Sequence, residues 1–176
     1  MFVKYAGIGS RQTPKEICAV FNNIGRELAN RGYILCSGHA DGADKAFELG
    51  CDKVPFSKKE IYLPWRDFNG SDSGLYALPE EAYILAKRFH PRFNELNPTS
   101  QKLIVRDGMQ VLGPDLKTKV DFIVCYTDEG KSKGGTGQAL RIAKAYNIPV
   151  YNFGDPSGND QERFYNKIMS KELCWA

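Results

Sequence analysis

Three glycine-containing segments hold the residues best suited to chemistry: Gly7-Ile8-Gly9-Ser10-Arg11, Ser37-Gly38-His39-Ala40-Asp41-Gly42-Ala43-Asp44 and Lys131-Ser132-Lys133-Gly134-Gly135-Thr136-Gly137. Each joins a strand-like apolar run to a helix-like one. Glycine lets a backbone come close to a ligand, and the free N–H groups and positive dipole end of the following helix favour an anion. The chemistry implied is the holding of phosphate. In an open parallel sheet such loops lie along the carboxyl edge of the strands, so three of them can converge on one crevice.

The loops differ in what they offer. In the first, Arg11 suits bidentate hydrogen bonds to a phosphate, with Ser10 and the amides around Gly9 beside it. Gln12 stands where a dinucleotide fingerprint has its third glycine, so NAD binding is not indicated. In the second, Ser37, Gly38, His39, Asp41 and Asp44 crowd the end of a strand and the start of a helix. Carboxylates there commonly serve as caps. Asp41 or Asp44 is also suited to accept hydrogen bonds from ribose hydroxyls or a base edge, and burial would raise its pKa toward acid–base use.

The third loop is the strongest phosphate candidate, because Lys133, Gly134, Gly135, Thr136 and Gly137 precede a helix with no acidic residue in its first turn. It lacks the G-x-x-x-x-G-K-[ST] spacing of a P-loop, which leaves Mg-dependent triphosphate hydrolysis without support. Trp65, just past a third strand, either stacks on a base or seals the core.

The elements that must position these residues alternate. Phe2 to Ile8 is expected to be a strand, and Thr13-Pro14-Lys15-Glu16 predicts a helix start with a threonine cap and a capping-box glutamate. Ile17, Val20, Phe21, Ile24 and Leu28 form its apolar face, with Gly32 as the stop. Strand Tyr33 to Cys36, a short helix ended by Gly50, and strand Glu60 to Pro64 follow. Residues 65 to about 113 are less regular and form an insertion near the site mouth, with helices over Glu80 to Arg88 and Ser100 to Leu112. Strand Val120 to Tyr126, helix Gly137 to Tyr146, strand Pro149 to Phe153 and a final helix from about Asn159 complete the chain. The pattern predicts a single α/β domain over 1–176, Rossmann-like, with an open, mostly parallel sheet and helices on both faces.

Composition narrows the partners. The chain of 176 residues is 42% hydrophobic, enough for one buried core, and its net charge of +3 is too mild to establish a nucleic-acid partner by bulk electrostatics. Cys18, Cys36, Cys51, Cys125 and Cys174 are odd in number and lie mostly in apolar runs, which favours reduced thiols. With no C-x-x-C pair and two histidines, no metal or cofactor is expected. No signal peptide or membrane span is visible, so a cytoplasmic protein is expected.

Taken together, Gly9-Ser10-Arg11, the Ser37–Asp44 loop with Ala46, Ile61-Tyr62-Leu63-Pro64 and Lys133-Gly134-Gly135-Thr136-Gly137 resemble the SLOG superfamily of Rossmann-like domains, most nearly the core of DprA-type DNA-processing proteins. In those proteins a G-S-R loop is followed by S-G-x-A-x-G-x-D. The resemblance implies binding of a nucleotide or nucleotide-derived ligand, and single-stranded DNA binding in recombination as an alternative. Asp41 stands where an arginine is usual, which removes a cation from a DNA-facing surface. LOG-type phosphoribohydrolases of the same superfamily imply a second alternative, cleavage of the N-glycosidic bond of a nucleoside monophosphate. Their P-G-G-x-G-T-x-x-E motif is only partly matched, since Gln138, Leu140 and Arg141 occupy the region of its acidic residue. An enzyme would then depend on Asp44 or Glu48. SLOG proteins often form homodimers, and the insertion is where an interface could form.

Overall fold

The computed structural model describes residues 2–170; Cys174 lies outside them. Five strands form one parallel sheet: β1 (Lys4–Gly9), β2 (Ile34–Ser37), β3 (Lys58–Ile61), β4 (Phe122–Tyr126) and β5 (Val150–Asn152), in the order β3-β2-β1-β4-β5. Every strand pair is parallel, with Ala6 of β1 aligned to Cys36 of β2 on one side and Ile123 of β4 on the other. The sheet is an open α/β Rossmann-like arrangement.

Helices cover both faces because strands buried on two sides need apolar partners on each. On one face lie α1 (Lys15–Asn30), α2 (Ala43–Cys51) and α6 (Asn159–Phe164), joined to the sheet through Tyr5, Phe21, Phe47, Phe122 and Phe164. On the other lie α3 (Glu80–Phe89), α4 (Pro98–Leu112) and α5 (Gly134–Ala145), packed through Ala86, Val105, Met109, Ile123 and Ile142. The stretch from 65 to 113 is therefore the β3–β4 crossover, and its helices make up much of the second layer. Among the described residues no helix is long and apolar enough to cross a membrane.

Three local expectations are corrected. Thr13 does not cap α1; its Oγ1 donates to the Ser10 carbonyl at 2.6 Å instead, which ties down the β1–α1 loop. Gly50 does not end α2, which runs on to Cys51. A Cβ at Gly50 would stand 1.9 Å from the Asn22 carbonyl oxygen, so the glycine is there because α1 and α2 touch backbone to backbone. Helix α5 begins at Gly134, three residues before the expected start at Gly137, so the third glycine segment is largely its first turn. At the start of α4, the Asn97 side chain accepts from Ser100 N–H at 2.8 Å, an ordinary Asx cap with Pro98 following.

Candidate functional site

Strand order reverses direction between β1 and β4. Crossovers to β2 and β3 run one way and those to β4 and β5 run the other, which opens a crevice at the carboxyl ends of β1 and β4. A cavity of about 550 Å³ occupies it. From the end of β1 and the loop after it come Gly9, Ser10 and Arg11; from the β2–α2 loop comes Ala40 and from the first turn of α2 Asp44; from the β4–α5 connection come Thr127, Asp128, Lys131 and Lys133, then Gly134, Gly135 and Thr136 of α5. The fourth wall is α4, which contributes Ser100, Leu103, Ile104, Arg106, Asp107 and Gln110, and His90 lies beside it.

Of the residues singled out in the sequence, Gly9, Ser10, Arg11, Asp44, Lys133, Gly134, Gly135 and Thr136 are brought together here. The others have different surroundings. Ser37 is buried and donates to the Gly7 carbonyl at 2.6 Å. Gly38 admits the side chains of α4, since a Cβ there would meet Arg106 Nη1 and Gln110 Nε2 at 2.2 Å each. His39 Nδ1 is hydrogen-bonded to Glu48 Oε2 at 2.6 Å, and Glu48 also receives Lys59 at 2.8 Å, so both belong to a network behind the loop. Asp41 pairs with Lys45 on the surface. Trp65 packs edge-on against Phe68, with ring centroids 5.1 Å apart. Gly137 lies against the Ser132 backbone.

The residues that sequence reasoning missed are those of α4. Arg106 is 4% exposed and donates through Nη1 to the carbonyls of Gly38 (2.6 Å) and Tyr62 (3.2 Å) and through Nε to Asp107 Oδ1 (3.1 Å). It fastens the crossover helix to the ends of β2 and β3. The available signal was three polar residues, Arg106, Asp107 and Gln110, set in a run that is buried from Ile104 to Leu112.

Two carboxyls inside the crevice are perturbed. Burial pushes Asp44 up to about 6; the charge of Asp107 adds to the effect, while Arg106 and the Gly9 N–H, which donates to its Oδ1 at 3.2 Å, oppose it. Burial likewise lifts Asp107 to about 6 against the pull of Arg106 and Arg11. At the mouth, Arg11 and Lys133 are exposed and their side chains have no hydrogen bond or ion pair with the described residues, whereas Lys131 pairs with Glu129. The arrangement offers cations and helix N–H groups at the entrance and acid–base groups within.

No protein-family profile matches the chain, and no curated protein matches it in sequence. Solved structures do. The Moco carrier protein of Chlamydomonas rheinhardtii superposes with a TM-score of 0.57 over 95% of this chain and 85% of its own, at 13% identity. The single-stranded DNA-binding DNA processing protein A of Helicobacter pylori gives 0.54 over 85% of this chain and 64% of its own, at 18% identity. The fold is the open Rossmann-like one that these two structures share. Within this Rossmann-like frame, Gln138 is turned out of the crevice. Its Nε2 donates to the Ala86 carbonyl at 3.1 Å and its Oε1 accepts from Arg141 at 2.9 Å, so it joins α5 to α3. The carboxylate that lies against the first turn of α5 is Asp107, from a different helix.

Proposed function

We propose that the crevice binds a nucleotide or nucleotide-derived ligand, with its phosphate at the mouth. One observation carries this reading: Arg11, Lys133 and the uncapped first turn of the twelve-residue helix α5 meet at the β1/β4 switch point. Backbone N–H groups at a helix start and unpaired cations together favour a phosphate over a neutral group. The test is calorimetry with nucleoside mono-, di- and triphosphates, ADP-ribose-type nucleotides and a short single-stranded oligonucleotide. Arg11→Ala is expected to weaken the best ligand by roughly 1.5–3 kcal/mol, the worth of a charge-assisted hydrogen bond. An unchanged dissociation constant would remove Arg11 from the site.

Cleavage at an N-glycosidic bond is the second reading, favoured by Asp44 and Asp107 titrating near 6 inside one crevice. Glu48 drops out of it, because its carboxylate is engaged with His39 and Lys59. Chromatography of a nucleoside monophosphate incubated with the protein tests this, and retention of base release in Asp44→Asn would clear Asp44 of a catalytic role. The oligonucleotide addresses the third reading, since one structural neighbour binds single-stranded DNA. A salt-dependent affinity for it above that for any mononucleotide would favour DNA.

A further inference from the structure

The polar groups of the crevice are sorted by depth. Arg11, Lys131 and Lys133 are exposed at the mouth, while Asp44, Arg106, Asp107 and Gln110 are each 5% exposed or less at the floor. The floor sets two carboxylates against one guanidinium. A phosphate placed there would face like charge in surroundings that screen it poorly, so the anionic head of a ligand stays at the mouth and its neutral end goes in.

Asp107 decides what that neutral end must be. Its Oδ1 accepts from Arg106 Nε, but Oδ2 is buried with no partner. The same oxygen lies 2.5 Å from the position a Cβ on Gly135 would take, so it sits against the first turn of α5, where no side chain caps the leading N–H groups. An unpaired buried carboxylate oxygen is costly and calls for a donor. A ligand group that reaches both neighbours has to donate to the carboxylate and accept from an amide N–H. A hydroxyl does both; a protonated amine does only the first, and an ionised phosphate oxygen only the second. Oδ2 is closed to solvent as the turn stands, so such a group requires the first turn of α5, which opens with Gly134 at φ +61° and open space about its Cβ position, to move aside.

We infer that the floor is a sugar-hydroxyl subsite and that Asp107 selects a phosphorylated ligand bearing free ribose-type hydroxyls. This rests on the nucleotide reading above. It moves Gly135 from holding phosphate to bordering the sugar and leaves the phosphate to Ser10, Arg11, Lys133 and Thr136.

The experiment is calorimetric titration with the 5′-monophosphates of adenosine, guanosine, cytidine and uridine, each beside its 2′,3′-dideoxy counterpart. It is run on the wild type, Asp107→Asn and Arg11→Ala, with folding checked by circular dichroism. The ribonucleotide that binds best is expected to lose roughly tenfold or more when its hydroxyls are removed, the effect of a hydrogen bond to a charged group. Asp107→Asn should shrink that ratio severalfold by weakening the ribonucleotide alone. If each ribonucleotide and its dideoxy counterpart bind the wild type equally, and Arg11→Ala weakens both, the subsite is overturned and the nucleotide reading stands. Binding by none of the nucleotides overturns both. The wild-type ratio decides the matter even if Asp107→Asn fails to fold.

Discussion

A methyl group on Gly135 would lie 2.5 Å from Oδ2 of Asp107. The carboxylate has little freedom to retreat, because Arg106 holds its other oxygen and is itself held by two carbonyls. Gly135→Ala is therefore expected to lower stability by about 1–3 kcal/mol, the usual range for overpacking. It should also weaken nucleotide binding, by displacing the first turn of α5. Urea denaturation and calorimetry on the same variant check the two effects separately.

Arg106→Met is expected to cost more, about 3–5 kcal/mol in urea denaturation. It removes the clamp between α4 and the ends of β2 and β3 and leaves Asp107 buried without its counter-charge. The double variant with Asp107→Asn should recover part of that loss. An additive pair would show that the two side chains do not depend on each other.

Acid should stabilise this protein before it destabilises it. Asp44 and Asp107 titrate near 6 when folded and near 4 when unfolded, so between those values the native state binds more protons. Stability then falls as pH rises through 4 to 6, by on the order of 2–3 kcal/mol for each group. His90, which burial and nearby arginines push down, works against this near neutrality. Below about 4, Glu60, Asp115 and Asp155, all held low by hydrogen bonds or ion pairing, lose their contribution. The melting temperature is expected to peak near pH 4, and Asp107→Asn should flatten the slope between pH 4 and 6. A curve flat across that interval in the wild type would refute the assignment.

Gly50→Ala tests the contact between α1 and α2. Its Cβ would stand 1.9 Å from the Asn22 carbonyl oxygen, part of a backbone that cannot rotate away. The expected loss is about 3 kcal/mol or more in denaturant unfolding, with ligand affinity unchanged in the protein that remains folded. Gly32→Ala, which meets nothing within 4 Å but sits at φ +75°, should cost only about 1 kcal/mol.

The alternation of strands and helices was legible because it depends on short-range signals. Apolar residues three and four apart in α1, the Pro14 and Gly32 boundaries, and β-branched or aromatic runs each act within a few neighbours. The offset at α5 shows where such signals stop: Gly134 to Thr136 are poor helix formers by propensity, yet packing carries the helix back through them. The same limit explains Thr13, whose capping pattern was present but whose hydroxyl found the Ser10 carbonyl first.

By itself the sequence determined that glycine-bearing turns after β1, β2 and β4 would share one edge of a parallel sheet, because the alternation of strands with helices implies parallel pairing and loop chemistry is local. Only the tertiary structure decided which of their side chains face the crevice. The β2 loop turns its Ser37, His39 and Asp41 side chains to partners elsewhere, and its place is taken by Arg106, Asp107 and Gln110. An Arg-Asp pair in a helix is ordinarily a solvated one. Here the crossover from β3 to β4 lays α4 across the strand ends, some seventy residues from Gly38 along the chain. Burial there, rather than residue type, gives that pair its chemistry.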